Sequence, residues 1–350
     1  MNKFLYEIME QPVAIGNVID FYSSKEGKRL LKQIEKLIYS EAIELIVFTG
    51  MGSSYFISFA AANLFNQFGI HSVYINTSEL LHYNLSLIGT RTLLICMSQS
   101  GESFEIREIL DKLPEAVFCI GIVNEENSTL AQRANIALLC KGGKEEMTST
   151  KTYVVTSLVA YILGSYLVGQ WGVTRIKLLR HLQRNFEQSL SQYNDWLPKM
   201  LDFMGDIRTL QIIARGPSFS TASQSALMFK EATHIAATGI LGGEFRHGSM
   251  EMVENGFKSI LFAAEGRTFE QSLRMAEDIA EFGGKVLLIT NFRIVNTHAN
   301  ILPVYIDEKD EFLFSIQSII PMQLFIDEYA KRQGFEAGKF FHGAKVTMIE

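Results

Sequence analysis

The sequence has few cysteines and no concentration of charge. Its 350 residues include only three cysteines, Cys96, Cys119 and Cys140, all at or near apolar, strand-like stretches. A disulfide framework is therefore not indicated, and reduced, buried thiols favour the cytoplasm. The formal net charge is −6, and there is no basic run with interleaved aromatic residues. The composition therefore gives no indication of nucleic-acid binding.

Signals for export, membrane insertion and metal binding are also missing. Lys3, Glu7 and Glu10 interrupt the profile that a signal peptide needs. Residues 152–174 carry no charge and are long enough to span a bilayer, but they contain several Ser, Thr and Gly, and no second such stretch exists. We therefore predict a buried core helix and no membrane association. No metal is expected, because the spacing of histidines is not that of metal ligands; examples are His82, His181 and His298.

Short apolar runs alternate with amphipathic stretches along the chain. Residues 45–48, 72–75, 93–96 and 116–120 have the composition of buried strands. Residues 57–68 and 104–113, which lie between them, have helical periodicity. Continuous apolar strands separated by helices indicate a parallel sheet covered on both faces, so we predict an α/β fold.

The same pattern begins again in the second half. The strand-like runs 210–214, 259–263 and 285–289 follow a polar stretch, 175–206, that predicts one long connecting helix. Loops 52–54 and 216–218 follow corresponding strands, as do loops 98–101 and 264–267. We interpret this as a weak internal repeat of two α/β units. Because only the first unit keeps the hydroxyl-rich loop, we expect one phosphate site per chain.

That hydroxyl-rich loop is the most distinctive motif of the chain. It is the run Met97-Ser98-Gln99-Ser100-Gly101-Glu102-Ser103, directly after the apolar stretch 92–96. Where a parallel strand passes into a helix, the first N–H groups of the helix and its dipole attract anions. The three serines add short donors, and Gly101 lets the backbone approach closely. On the loop alone, a phosphate cradle and a simple helix cap formed by Ser98 or Ser100 are both open.

Several motifs, in order along the chain, resemble the tandem sugar isomerase (SIS) domain family. The resemblance is strongest to the isomerase half of glucosamine-6-phosphate synthase, to amino-sugar-phosphate deaminases and to fructosamine-6-phosphate deglycases. It implies two doubly wound, flavodoxin-like parallel-sheet subdomains in tandem. The matching motifs are Glu10-Gln11-Pro12, Gly52-Ser53-Ser54-Tyr55, residues 98–103, Thr148-Ser149-Thr150-Lys151, Lys230-Glu231, Gly243-Glu244-Phe245-Arg246-His247-Gly248, and Ala344-Lys345-Val346-Thr347 with Glu350.

The resemblance also implies roles for the matched residues. His247, which the family supplies from the partner subunit, would open the sugar ring. Glu231 would move a proton between C1 and C2, and Lys345 would bring an ammonium to the substrate oxygens or carbonyl. Ser149 would contact the sugar. The 6-phosphate and neighbouring hydroxyls would be held by Ser53, Ser54, Ser98, Gln99, Ser100 and Ser103.

The chemistry asks for the same residue types. Proton transfer between adjacent carbons needs one base, and a carboxylate in a closed pocket has its pKa raised toward that task. Ring opening suits a histidine, and a lysine can stabilise an enediolate or form an imine. Without the resemblance, Lys230-Glu231 would be an ordinary solvated helix face and Lys345 an ordinary terminal lysine.

The sequence departs from the synthase in three places. No cysteine precedes Cys96, so we expect no glutamine hydrolysis and no complete glutamine-dependent synthase. The loop around His247 has Arg246 and Ser249 where the synthase pattern has Lys and Pro, which is closer to the deaminases and deglycases. Met228 replaces a lysine of the synthase.

These observations lead to three functional hypotheses. The first is an isomerising deaminase that converts glucosamine 6-phosphate into fructose 6-phosphate and ammonia, without a cofactor. The alternatives are a fructosamine 6-phosphate deglycase, which would act on a fructoselysine-type substrate, and a non-catalytic sugar-phosphate sensor. In each case the partners are a sugar 6-phosphate and a second copy of the chain, with neither nucleic acid nor membrane involved.

The domain organisation follows from the same motifs. We expect an N-terminal helical segment over residues 1–27 and a phosphate-binding SIS domain over 28–180. A connecting helix would cover 181–205, and a second SIS domain with Glu231 and His247 would cover 206–335. The C-terminal tail, residues 336–350, carries Lys345.

Overall fold

The computed structural model describes residues 2–295 and 297–339 together with Lys345. The chain divides into two compact units. The first unit contains residues 10–183 and Lys345, and the second contains residues 2–9 and 184–339. The other residues of the predicted tail motif, Ala344, Val346, Thr347 and Glu350, lie outside the described part.

The first unit is built on a five-stranded sheet whose paired strands are parallel. The strand order is β2-β1-β3-β4-β5, and the register pairs Thr49 of β1 with Ile75 of β2 and with Cys96 of β3. The order reverses between β1 and β3, which places a topological switch point and its crevice there. The strands are β1 (Leu45–Gly50), β2 (Ser72–Asn76), β3 (Thr92–Ser98), β4 (Phe118–Val123) and β5 (Ile136–Leu139).

The second unit repeats this topology. Its sheet has the order β10-β9-β8-β6-β7, also with parallel pairs, so its switch point lies between β6 and β8. The predicted α/β fold with two doubly wound parallel sheets in tandem is therefore confirmed. The strands are β6 (Thr209–Ala214), β7 (Ala236–Leu241), β8 (Lys258–Ala263), β9 (Lys285–Thr290) and β10 (Ile301–Tyr305).

Helices connect and cover these strands. In chain order they are α1 (Lys3–Met9), α2 (Gln11–Ser23), α3 (Lys25–Ser40), α4 (Ser53–Gln67), α5 (Thr77–Glu79), α6 (Phe104–Lys112), α7 (Thr129–Arg133), α8 (Lys151–Leu167), α9 (Val173–Ser191), α10 (Tyr193–Met204), α11 (Ser218–Thr233), α12 (Gly242–Arg246), α13 (Phe269–Glu281), α14 (Glu311–Gln317) and α15 (Ile319–Arg332). A π-helical turn covers Leu80–Asn84, and 3₁₀ turns cover Leu85–Leu87 and Ser249–Met252.

The uncharged stretch 152–174 forms a buried helix over its first part only: α8 ends at Leu167, Gly169 and Gln170 are exposed, and α9 begins at Val173. Every residue of α8 from Lys151 to Ser165 is buried. None of the helices in the described part of the chain combines the length and apolar character that crossing a membrane requires. The three cysteines are buried and carry no disulfide, which confirms that they serve as small apolar core residues.

Two sequence-based expectations about secondary structure need correction. The single connecting helix expected within 181–205 is interrupted: α9 ends at Ser191 and α10 starts at Tyr193, with Gln192 between them at φ −111° and ψ 7°. The sequence analysis also missed β5, β7 and β10. All three are edge strands, which are less completely buried, so their apolar signal is weaker. Pro303 lies in β10, because a residue without an N–H is tolerated at a sheet edge.

Candidate active site

The hydroxyl-rich loop joins β3 to α6 at the switch point of the first unit. All seven residues of β3 are buried, and Ser98 is its last residue. The loop then folds on itself: the Gly101 N–H donates to Ser98 Oγ (3.0 Å) and the Glu102 N–H donates to Ser100 Oγ (3.2 Å). Because each hydroxyl oxygen accepts a bond from the loop, its own O–H stays available to donate to a ligand.

A capping role alone does not account for these serines. Helix α6 begins at Phe104, so Ser103 is its N-cap residue, and the Ser103 side chain makes no capping hydrogen bond. Neither Ser98 nor Ser100 occupies that position. The first N–H groups of a helix have no intrahelical acceptor, and here the N-cap side chain does not supply one. This arrangement favours the phosphate cradle over the simple cap.

Gly101 is required by the backbone of this loop. Its φ is 65°, and a Cβ added there would lie 2.2 Å from Ser128 Oγ. Only glycine adopts this conformation without strain and leaves room for Ser128. The close approach fixes the loop against the segment that follows β4.

Glu102 is a positioning residue that the sequence reasoning did not single out. Its carboxylate accepts hydrogen bonds from the Thr129 N–H (2.5 Å) and from Thr129 Oγ1 (2.9 Å). The Leu130 N–H donates to Gly101 O (3.1 Å), and the Asn124 N–H to Gln99 O (3.2 Å). The Gln99 side chain is also engaged, donating to Glu125 Oε1 at 3.4 Å. The loop is therefore held by five hydrogen bonds to the segment that follows β4 and to the first turn of α7.

A second hydroxyl-bearing loop leaves the neighbouring strand. Strand β1 pairs with β3, so the loops after both strands start at the same edge of the sheet. Gly52 is the N-cap residue of α4 with φ 50°, and Ser53 and Ser54 form the first turn of that helix. The structure thus brings Ser53 and Ser54 to the switch point from which the Ser98–Ser103 loop also starts.

The stretch 148–151 lies at the start of α8, and a buried carboxylate, Glu145, organises it. Glu145 Oε1 accepts from the Thr150 N–H (2.9 Å), Thr150 Oγ1 (3.1 Å) and the Thr152 N–H (3.0 Å). Its Oε2 accepts from Thr152 Oγ1 at 2.5 Å. The Ser149 hydroxyl lies 2.9 Å from Thr152 Oγ1. Sequence reasoning missed Glu145, for which the only signal was a glutamate shortly before a Thr-x-Thr helix start.

Lys345 reaches this same carboxylate. Its Nζ lies 2.6 Å from Glu145 Oε2 and 2.6 Å from Met147 O. Burial raises the pKa of Glu145, but Lys345 and the hydrogen bonds from Thr152 outweigh it, so the pKa is lowered overall. Glu145 is therefore an ionised carboxylate beside the Lys345 ammonium, and the structure unites two predicted site residues, Ser149 and Lys345, around it.

Lys151 is not available for a ligand. It is buried in the first turn of α8, and its Nζ lies 2.5 Å from Glu10 Oε2. Two motifs far apart in the sequence, around Glu10 and around Lys151, therefore meet in one ion pair.

Glu231 and His247 belong to the second unit. Glu231 lies in the last turn of α11, a helix whose buried face includes Met228 and Phe229. Met228, which replaces a lysine of the synthase pattern, is fully buried. Helix α11 ends at Thr233, and the next residue, His234, has left-handed backbone angles.

His247 is exposed at the end of the short helix α12. Its N–H donates to Gly243 O and Glu244 O, both at 3.2 Å. Gly248 follows with φ 139°, a conformation that ends the helix. Arg246, the residue before His247, forms an ion pair with Asp278.

The crevice of the second unit has a carboxylate, Glu311, beside its loops. A Cβ added to Gly216, after β6, would lie 3.3 Å from Glu311 Oε1, and one added to Gly266, after β8, would lie 3.5 Å from the same carboxyl group. A carboxylate therefore lies beside both loops of this switch point. Burial raises the pKa of Glu311, and Asp310 adds to this while Arg267 opposes it. The arrangement favours one phosphate site per chain, in the first unit.

Comparison with known proteins identifies the family. The model of the SIS domain family matches residues 41–165 and 204–327. The chain belongs to the SIS domain family. Each matched segment contains one of the two sheets.

Individual relatives agree with this membership. The chain is 30% identical over 355 residues to glutamine–fructose-6-phosphate aminotransferase (isomerizing) of Pyrococcus horikoshii, covering 99% of this chain and 57% of that relative. It thus spans little more than half the length of the curated relatives it matches. The fold is similar to the C-terminal domain of glucosamine-fructose-6-phosphate aminotransferase from Francisella tularensis, with a TM-score of 0.85, 20% identity, and coverage of 97% of this chain and 98% of that one. It is also similar to glucosamine-6-phosphate deaminase from Thermotoga maritima, with a TM-score of 0.73, 20% identity, and coverage of 99% and 100%.

Proposed function

We propose that the protein is an isomerising deaminase of an amino-sugar 6-phosphate, with glucosamine 6-phosphate as substrate and fructose 6-phosphate and ammonia as products. The observation that carries the proposal is the Ser98–Ser103 loop at the switch point, whose helix start lacks a side-chain cap and whose Ser98 and Ser100 oxygens accept from loop N–H groups. Similarity to proteins named for fructose 6-phosphate and glucosamine 6-phosphate supports the choice of sugar.

Neutral donors suit a phosphate ester that must leave after each turnover. The loop carries serines and an amide but no Lys or Arg. Hydrogen bonds from neutral donors are weaker than those from an arginine clamp. Ser53, Ser54, Ser98, Gln99, Ser100 and Ser103 would hold the phosphate and neighbouring hydroxyls, and Ser149 would contact the sugar.

The chemistry proceeds in three steps. His247 would open the ring by proton exchange between the ring oxygen and the C1 hydroxyl. Glu231 would take the proton from C2 and return it to C1, which converts the 2-amino aldose into the 2-imine of fructose 6-phosphate. Water adds to this imine and ammonia leaves. Lys345 would stabilise negative charge on the substrate oxygens while the proton moves.

The exposed position of His247 supports a site completed by a second copy of the chain. An imidazole at the end of a surface helix has solvent on one side in the described structure. We propose a homodimer in which His247 enters the partner's site. A fully active monomer in solution would overturn this part of the proposal.

A deglycase is the second candidate, and one surface feature favours it. Beside Ser100 lies an open cleft of about 540 Å³ whose lining includes Glu102, Glu125 and Glu126. This space and its carboxylates suit a larger, cationic amine substituent such as that of fructoselysine 6-phosphate. Faster turnover of that compound than of glucosamine 6-phosphate would select the deglycase.

Ammonia release from glucosamine 6-phosphate tests the mechanism. A general base contributes about 10²- to 10⁴-fold to rate, so Glu231→Gln should reduce turnover at least a hundredfold. Glu254→Gln, at an exposed carboxylate of the same unit, is the matched control and should retain wild-type turnover. Unchanged turnover in Glu231→Gln would exclude the mechanism, and tight binding without any product in the wild type would indicate a sensor.

A further inference from the structure

We propose that Glu145 is a positioning residue that sets both the donor direction of the Ser149 hydroxyl and the location of the Lys345 ammonium. This inference rests on the proposed function, in which Ser149 and Lys345 contact the sugar. Glu145 is not among the residues that the family resemblance indicated. Its hydrogen bonds also predict that the substrate group bound by Ser149 is a hydrogen-bond donor.

The carboxylate of Glu145 is buried and fully hydrogen-bonded. The Glu145 side chain is fully buried, while that of Lys345 is 21% exposed. A buried carboxylate is costly unless it is paired and hydrogen-bonded. Here two backbone N–H groups, two threonine hydroxyls and one ammonium donate to it. The Glu145 carboxylate is thus fully engaged by hydrogen bonds and by its ion pair with Lys345.

The charge of Glu145 determines the direction of the hydrogen bonds through Thr152 to Ser149. An ionised carboxylate only accepts, so the Thr152 hydroxyl must give its single hydrogen to Glu145. The 2.9 Å contact between Thr152 and Ser149 therefore runs the other way, with the Ser149 O–H donating to Thr152 Oγ1. The Ser149 oxygen can therefore act only as an acceptor toward a substrate group. The group it recognises is a donor, either a sugar hydroxyl or an amine, and not a phosphate oxygen.

Glu145 also determines the position of the Lys345 ammonium. An ammonium has three N–H donors. Two of them point to Glu145 Oε2 and Met147 O, which fixes the position of Nζ. These are its two acceptors among the residues that the structure describes, and we assign the third N–H to a substrate oxygen. Glu145 therefore acts on the substrate through Lys345 on one side and through Thr152 and Ser149 on the other.

Lysine acylation measures the Lys345 branch without any need for turnover. Full-length wild type, Glu145→Gln and Glu146→Gln are treated with acetic anhydride, and modification of Lys345 is followed by mass spectrometry. Glu146 is the matched control, because it is the adjacent carboxylate but pairs with Lys144 at 2.6 Å on the surface. We expect the rate at Lys345 to rise at least fivefold in Glu145→Gln and to stay at the wild-type value in Glu146→Gln. Equal rates in all three proteins would overturn the proposal.

The Ser149 branch is tested with Thr152 variants, which leave the Lys345 contact in place. Thr152→Val removes the hydroxyl, whereas Thr152→Ser keeps it. With glucosamine 6-phosphate we expect a KM raised several-fold and a nearly unchanged kcat for Thr152→Val, and rescue of KM by Thr152→Ser. Equal KM values in the two variants would contradict the assigned direction, and this pair remains informative if Glu145→Gln does not fold.

A double-variant comparison shows whether Glu145 acts through Lys345. We expect Glu145→Gln to lower kcat at least tenfold and to add no further loss of kcat in a Lys345→Met background. Independent, multiplicative losses would refute the coupling. If the wild type does not turn over glucosamine 6-phosphate, the proposed function fails, but the acylation result still decides whether Glu145 positions Lys345.

Discussion

Replacing Gly101 by alanine tests whether the shape of the Ser98–Ser103 loop is what binds the phosphate. Gly101 has φ 65°, and an added Cβ would lie 2.2 Å from Ser128 Oγ and 2.6 Å from Ser128 Cβ. Ser128 is itself held, because its hydroxyl donates to Glu125 O (2.7 Å) and accepts from the Ala131 N–H (3.3 Å). The loop must therefore move away from Ser128, which displaces the serines that it carries.

The expected magnitude has two parts. A non-glycine residue in left-handed backbone costs about 1–2 kcal/mol, and overpacking a tight contact costs about 1–3 kcal/mol. Gly69 separates the two, because it has φ 78° and an added Cβ would meet nothing within 4 Å. We therefore expect Gly69→Ala to show only the backbone cost and Gly101→Ala to lose about 1–3 kcal/mol more, as the overpacking range predicts.

Two measurements on the same proteins check this prediction. Urea unfolding gives the free energies of unfolding, and isothermal titration calorimetry gives the Kd for a sugar 6-phosphate. Gly101→Ala should bind at least tenfold more weakly than the wild type, whereas Gly69→Ala should bind equally well. Wild-type affinity in Gly101→Ala, with a stability loss equal to that of Gly69→Ala, would refute the reasoning.

Three further predictions follow from particular residues. Ser100→Ala removes one neutral hydrogen bond, worth about 0.5–1.5 kcal/mol. Calorimetry should therefore show a Kd for the sugar 6-phosphate raised about 2- to 12-fold and unchanged, weak binding of the unphosphorylated sugar. Equal losses of affinity for both ligands would contradict a phosphate contact. Burial raises the pKa of Glu308 from its ordinary value of 4.5 to about 7, so its contribution to stability is complete below pH 4.5 and is lost as the pH rises through 7. Urea unfolding should show the wild type losing stability relative to Glu308→Gln between these pH values. The same pH dependence in both proteins would argue against the raised pKa. Co-expressed Glu231→Gln and His247→Asn chains should form mixed dimers with one intact site and regain activity that neither variant has alone, whereas no recovery in isolated mixed dimers would show that His247 does not serve the partner's site.

The sequence predicted the central strands well because they are buried on both faces. Leu45–Phe48, Leu93–Cys96 and Ile260–Ala263 have continuous apolar side chains, and each lies within an observed strand. Of the four edge strands in the described part of the chain, only β2 gave a recognisable apolar run. The edge strand β7 begins with alternating exposed and buried residues and contains Gly239, which is atypical of strands. Whether such a segment forms a strand depends on its pairing with a neighbouring strand, which is a tertiary property.

The candidate site was predictable where chemistry coincides with a strand end. The loop containing Ser98 and Gly101 ends a buried strand and precedes a helix, so its place at the carboxyl edge of a parallel sheet could be predicted from local pattern, whereas the switch point required the strand order of the structure. Glu145 could not be found in this way, because its meaning depends on Lys345, 200 residues further along the chain. Glu102 was quoted as part of a motif, but its bond to Thr129 depends on how two loops approach each other.

The most direct test of the central claim is the reaction itself. Purified protein is incubated with glucosamine 6-phosphate, and ammonia and fructose 6-phosphate are quantified in parallel, with fructoselysine 6-phosphate as the competing substrate. We predict equal molar amounts of ammonia and fructose 6-phosphate from glucosamine 6-phosphate, at a rate exceeding that of glucose 6-phosphate formation from the competitor. Absence of both products from glucosamine 6-phosphate would contradict the proposed function.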